Sequence, residues 1–160
     1  MSAVSIRTKT DADHTWSVDL LTTHWGSPRI VSRGRIHAAE TLPGFIAEID
    51  GERAGLLTYH LEGDSCEIVS LNSLLEKRGI ATALLEAVIE AAAHAGRRRV
   101  WLVTTNDNIP ALRFYQKRGF KLSALHPGAM QAARERKAEI PERGWADIPI
   151  RDEIEMEKEI

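Results

Sequence analysis

One cysteine, Cys66, stands in 160 residues. No disulfide can form within the chain, which suits a reducing cytosol and makes a cytoplasmic location the expectation. No apolar run approaches the roughly 18 residues that a membrane helix needs, so no membrane segment is expected. The first residues are polar and lack a signal-peptide pattern. A charge excess is also missing: 21 basic residues against 23 acidic leave a net charge of −2, and nothing points to a nucleic-acid surface. The short basic run Arg97-Arg98-Arg99 reads as a solvated helix end. The six histidines show no metal-ligand spacing, so no metal is expected. Repeats and low-complexity linkers are absent. What remains is ordinary for one soluble core: 43% hydrophobic and 28% charged residues.

The stretch from Cys66 to Ala95 organises the rest. Cys66 to Leu71 reads as a short apolar strand with Glu67 inside it. Leu74 to Arg78 is a connector. From Gly79 onward Ile80, Ala83, Leu84, Ala87, Val88 and Ala91 recur at three- and four-residue steps, a helical stripe that Gly96 is placed to end. The join carries the chemistry. The first turn of a helix has N–H groups without intrahelical partners, and the helix dipole adds partial positive charge there. Gly79 and Ala81 let an anion approach the backbone, and Lys77 and Arg78 add full charges. This describes a diphosphate-sized anion site. The plainer alternative is a glycine that starts a helix beside two solvated cations.

Upstream, Val4 to Thr8 reads as an opening strand and His14 to His24 as a short helix after Asp11-Ala12-Asp13. Ile30 to His37 reads as a strand or an ordered loop. Phe45 to Ile49, the Asp50-Gly51 turn, Ala54 to Leu61, the Gly63-Asp64 turn and the strand at Cys66 form an antiparallel meander. Downstream, Val100 to Thr104 is nearly all apolar. It is expected as a central strand covered on both faces, parallel to the strand at Cys66 through a right-handed crossover. Asn108 is an N-cap with Pro110 in the first turn of a helix through Lys117. Gly119 ends that helix, and Phe120 to Leu125 is a further strand. Ala129 to Lys137 reads as a short helix, and Pro141 to Pro149 as an ordered loop covering a site. Arg151 to Ile160 alternates charge with Ile154, Met156 and Ile160. Its period of two favours a closing strand with a solvated charged face over a frayed helix, and a bare strand there offers an edge for a homodimer. Cys66 reads as a small buried hydrophobe. Trp25 and Trp145, in breaker-rich segments, either plug the core under loops or line an acceptor pocket.

Two motifs now stand in one order: a basic, glycine-containing helix start after a strand with an internal Glu, and Asn-x-x-Ala-x-x-Phe-Tyr-x-x-x-Gly-Phe at Asn108, Ala111, Phe114, Tyr115, Gly119 and Phe120. The pattern resembles the GCN5-related N-acetyltransferase (GNAT) superfamily across roughly residues 45–125. The second motif is the more specific one. In the first, Glu76 stands where the family has Gln or Arg, and Ser73 where it commonly has Pro.

The resemblance implies a mixed α/β fold over 1–160 as a single N-acetyltransferase domain, binding acetyl-CoA between two splayed strands. It implies cofactor contacts at Leu71, Asn72 and Ser73 for the pantetheine arm. The diphosphate would meet Lys77, Arg78, Gly79, Ile80, Ala81 and Thr82, with Asn108, Ala111 and Phe114 on the following helix. Acetyl would pass by direct attack of a primary amine, on a small molecule or a peptide. Tyr115 is the implied acid, against the alternative of a Tyr filling the core. Glu67 is the candidate base, working through water, because a carboxylate inside an apolar strand is costly unless paired or used; the alternative is an edge Glu facing solvent. The competing function is a non-catalytic acyl-CoA-binding or sensing module, for which Glu76 is the only hint. A third is an unrelated nucleotide-phosphate binder.

Overall fold

A computed structural model describes residues 3–160. Its strands are β1 (Ser5–Thr8), β2 (Arg29–Ser32), β3 (Arg35–Ala38), β4 (Gly44–Ile49), β5 (Glu52–Glu62), β6 (Ser65–Ser73), β7 (Arg99–Thr105), β8 (Lys121–His126) and β9 (Glu153–Glu159). Its helices are α1 (His14–Trp25), α2 (Ile80–His94), α3 (Ile109–Gln116) and α4 (Ala129–Arg136). Seven strands form a mixed sheet in the order β1-β4-β5-β6-β7-β9-β8, and β2 and β3 form a separate hairpin. The expected α/β class, the β4–β5–β6 meander and the β6–α2–β7 parallel crossover are all present.

Strand alternation explains how the sheet buries both faces. Successive side chains point to opposite sides. Ala47, Leu57 and Ile68 therefore pack with Leu84, Leu85 and Val88 of α2, whereas Ile46, Leu56 and Val69 pack with Leu20 and Leu21 of α1. Each fully buried Leu or Val side chain contributes about 1.5–3 kcal/mol of transfer free energy. Gly55 lets α2 approach β5 closely: a Cβ there would lie 2.7 Å from Ile80 Cγ2 and 3.0 Å from the Asn72 carbonyl oxygen.

The helix ends follow their sequence signals. Gly96 adopts φ +77°, and the N–H groups of Gly96 and Arg97 bond the carbonyls of Ala93 and Ala92, so the last turn of α2 closes in a Schellman motif. The Asn108 side chain accepts from the Ala111 N–H at 3.3 Å and caps α3.

Four expectations are corrected. The segment Ile30 to His37 is neither one strand nor a loop but most of the β2–β3 hairpin, turning at Arg33-Gly34, where both residues have positive φ (48° and 78°). β7 is central, yet Val100 and Leu102 are buried while Trp101 and Val103 are only half-buried, because the second face of β7 borders a cavity rather than a helix. β9 is a strand, as its period indicates, but it is not bare: it inserts between β7 and β8 and pairs with both. The sheet edges are instead β1 and β8. Nor is its charged face solvated throughout: Glu153 is buried, and Glu155 and Glu157 pair with Arg99.

Candidate active site

The site begins where β6 and β7 part. They share only three parallel pairs, Ser65↔Arg99, Cys66↔Val100 and Glu67↔Trp101. Beyond Glu67, β6 runs on against β5 to Ser73, while β7 runs on against β9 to Thr105. A bulge assists the parting: Thr58 pairs with Ser70 and Tyr59 with Ile68, so Val69 is the extra residue on β6. Such a bulge bends its strand and ends regular pairing. The facing edges of β6 and β7 thus offer backbone groups that no strand satisfies, and Leu71, Asn72 and Ser73 lie on that run.

Glu67 sits at the vertex. Its side chain lies in the core side of the cleft, with the residue only 4% exposed, so the reading of an edge Glu facing solvent does not hold. Ser32 Oγ donates to Glu67 Oε2 at 2.5 Å, and His37 Nε2 lies 3.2 Å from Oε1. Ser32 and His37 share one face of the hairpin, because His37 is the cross-strand partner of Ile30, two residues before Ser32. The hairpin thereby fixes the carboxylate from the side opposite α2.

Around Glu67 opens a cavity of about 550 Å³. Its walls come from β2, from the parted halves of β6 and β7, and from residues 130–153; Trp25, Asn108 and Pro141 also border it. Two further buried carboxylates line it. Glu153 accepts from Arg33 Nη1 at 2.9 Å, and Asp107 accepts from Thr105 Oγ1 and from the Trp145 N–H. Lys137 is the buried cation on this wall, and its Nζ donates to the Arg29 carbonyl at 2.5 Å. The Pro141 to Pro149 segment does border the cavity, as expected from its length, through Pro141. Trp25 lines the cavity as well, with Nε1 donating to Asn72 Oδ1 at 3.0 Å, whereas Trp145 neither plugs the core nor lines the cavity and is half-exposed.

The anion site lies at the start of α2. Gly79 is the N-cap, with φ +74°, and a Cβ there would meet nothing within 4 Å, so the space before the first turn is open. Lys77 also has positive φ, 57°, in the tight connector that delivers this turn. Ala83 N–H bonds the Gly79 carbonyl, which leaves the amides of Ile80, Ala81 and Thr82 as the first-turn donors. The Ile80 side chain is buried in the core, so only its backbone faces outward. Arg118, overlooked in the sequence, reinforces the positive charge. Its Nη2 donates to Thr82 Oγ1 at 2.8 Å, its Nη1 donates to the Phe114 carbonyl at 2.9 Å, and its guanidinium lies 3.8 Å from the Phe114 ring centroid.

Tyr115 is buried on α3, with its ring edge-on to Phe114 and Phe120 at centroid distances of 5.1 and 5.3 Å. Burial raises its phenol pKa well above the ordinary tyrosine value, so it stays protonated. Tyr115 belongs to the α2-side core with Ala111, and it does not border the cavity that holds Glu67; Asn108 does. Cys66 is fully buried, and burial pushes its thiol up to about 12, which fits a packing role rather than a nucleophile.

Residues 10–120 match the model of the Acetyltransferase (GNAT) family. The chain belongs to that family. This GNAT protein is 46% identical over 143 residues to YdhI of Bacillus subtilis, covering 89% of each chain. Its fold matches the IAA acetyltransferase from Bacillus cereus with TM-score 0.78 at 21% identity, over 99% of this chain and 100% of that one. It also matches a GNAT family acetyltransferase from Elizabethkingia anophelis with acetyl-CoA bound, with TM-score 0.70 at 19% identity over the whole of both chains. The GNAT fold and its family of acetyltransferases are thus shown for this protein, and no helix among the described residues is long and apolar enough to cross a membrane.

The residues that sequence reading missed are Ser32, His37, Asp107, Lys137, Glu153 and Arg118. Ser32, Asp107, Lys137 and Glu153 line the cavity and His37 contacts Glu67, from separate elements that meet only in the folded chain, so no local spacing signals them. Arg118 sits inside the recognised motif, at a position the pattern leaves open.

Proposed function

We propose that this protein transfers the acetyl group of acetyl-CoA to a primary amine by direct attack, as one N-acetyltransferase domain acting in the cytoplasm. The carrying observation is Glu67, a buried carboxylate held by Ser32 and His37 at the vertex of the β6–β7 cleft. The amide-like pantetheine arm would pair with the unpartnered edge around Leu71, Asn72 and Ser73, and pass Asn108, Ala111 and Phe114. The diphosphate would take the amides of the α2 first turn, with Lys77, Arg78 and Arg118 supplying charge. Those residues fit such a group, because the first turn is open in front of Gly79. Glu76 does not remove this backbone contribution.

Glu67 accepts the proton of the incoming ammonium through water, and Tyr115, the tyrosine of the second motif, serves as the acid at the departing thiolate. A backbone N–H near Leu71 or Asn72 would stabilise the oxyanion.

Purified protein mixed with acetyl-CoA and a panel of primary amines should release free thiol. Binding of the cofactor without thiol release for any amine would instead favour a sensing module. Two variants refine the reading. Tyr115→Phe should lower kcat by about 10²-fold with acetyl-CoA affinity retained, as expected on loss of a positioned acid; an unchanged kcat would reduce Tyr115 to core packing. Arg118→Met should weaken acetyl-CoA binding by about tenfold in calorimetry, the loss of one or two charge-assisted contacts; unaltered affinity would confine Arg118 to bracing Thr82 and Phe114.

A further inference from the structure

One feature of the cavity is not needed for acetyl transfer as such. Lys137 follows α4, is 6% exposed and lines the cavity. An ammonium has three N–H donors; the hydrogen bond that Lys137 makes goes to a neutral carbonyl, that of Arg29. Glu139 lies near enough to favour the charge, but it is exposed and makes no ion pair with Lys137, and burial draws the lysine below its usual value. A buried cation without a bonded anion is costly to keep. The other ionised groups on this wall are carboxylates: Glu67 and Glu153 have partners from β2 and its turn, and Asp107 is held by Thr105 and the Trp145 N–H. Glu139, exposed, lines the cavity too. The cavity therefore pairs the Glu67 carboxylate, held by Ser32 and His37, with a buried ammonium that has no bonded anion, a pattern complementary to a molecule carrying both charges.

The β2 strand gives the separation. Lys137 is bonded to the backbone of Arg29 and Glu67 to the side chain of Ser32, and these two attachment residues lie three steps apart on β2, roughly 10 Å at about 3.3 Å per residue. Between them run Ile30 and Val31, apolar residues that both border the cavity, Ile30 packed with Val69 and Val31 with Met130.

We propose that the acceptor of this enzyme is a primary amine that carries a carboxylate at its far end, joined by a short aliphatic linker. The amine faces Glu67, the linker lies along Ile30 and Val31, and the carboxylate takes the free N–H donors of Lys137. Lys137 is then a specificity residue rather than a catalytic one. This rests on the acetyl-transfer reading above, and its test separates the two.

The assay compares matched pairs in the wild-type protein with acetyl-CoA: γ-aminobutyrate against n-butylamine, and δ-aminovalerate against n-pentylamine. The acid-bearing member of at least one pair should have a kcat/KM higher by about tenfold to a hundredfold, the range for a hydrogen bond between charged groups. Lys137→Met should abolish that preference by raising KM for the amino acid while leaving the alkylamine unchanged, and Lys137→Arg should restore much of it. Turnover without preference in the wild-type protein, or a preference unchanged in Lys137→Met, overturns the inference and leaves acetyl transfer standing. The second of these is the result expected if Lys137 only ties α4 to β2. Absence of thiol release with every amine, despite acetyl-CoA binding, overturns both readings. The wild-type comparison needs no variant to fold, and acetyl-CoA affinity serves as the fold check on both substitutions.

Discussion

Glu67→Gln should lower kcat for acetyl transfer by about 10²- to 10⁴-fold, the usual contribution of a positioned general base. A primary amine has a pKa of about 10, so near neutral pH almost all of it arrives protonated and unable to attack. Gln keeps the size of the side chain and an oxygen to accept from Ser32 Oγ, turns an NH2 rather than an oxygen toward His37 Nε2, and loses the ability to take a proton. The effect should therefore fall on kcat, with acetyl-CoA affinity unchanged, the signature of an interaction made in the transition state. The pH profile adds a second readout. Without the base, the reaction depends on amine already deprotonated in solution, so the variant's rate should climb about tenfold per pH unit below the amine pKa and recover at high pH. A variant within about threefold of wild type across that range would remove Glu67 from the mechanism. Ser32→Ala and His37→Ala should give smaller losses, since each removes one of the two contacts that aim the carboxylate.

Asp13→Asn should lower stability by about 2–4 kcal/mol. The Asp13 carboxylate is fully buried and accepts two hydrogen bonds from Arg7, at 2.7 and 2.8 Å, one from Arg53 Nε at 2.9 Å and one from the Thr10 N–H at 2.8 Å. It ties β1, the turn before α1, and β5 into one node. The two arginines are about one-third exposed, at 35% and 33% of their side chains, so solvent screens part of the attraction. For a chain of this size the melting temperature should fall by roughly 5–15 °C. The pH dependence has a definite sign. The hydrogen bonds from Arg7, above all, hold the Asp13 carboxyl well below the usual carboxylate range. The unfolded chain, with an ordinary value of about 3.9, binds the proton first. The contribution is therefore complete above about pH 5 and is lost as pH falls through the unfolded and then the folded value. Wild type and Asp13→Asn should converge in stability as pH drops from about 5 toward 3 in urea titrations. A constant gap over that window would mean that lost packing, not lost charge, is responsible.

The parts of the molecule legible in the sequence share one property: their signals are local. Hairpin turns such as Asp50-Gly51, the stripe of α2 ending at Gly96, the Asn108 cap and the alternation of β9 each depend on residues a few positions apart. Glu67 was also legible, because a charge inside an apolar strand needs a reason. What the sequence hid is set by long-range pairing. Nothing local distinguishes a strand that closes an edge from one that inserts, so β9 was expected bare and its first Glu solvated. Likewise the hairpin that delivers Ser32 and His37 to Glu67 reads in sequence as an ambiguous stretch, since its function depends on what lies across the cleft rather than on its own pattern.

The insertion of β9 also has a temporal side. During synthesis β8 leaves the ribosome before the strand that joins it to β7, and the two touch in the sheet only through residues 153–159. The strands β4 to β6 and helix α2 precede both, yet the core that α2 covers closes only when Met156 of β9 arrives. The cavity around Glu67 waits on the same strand for Glu153, so a growing polypeptide completes its sheet, its core and its cavity wall in one late step.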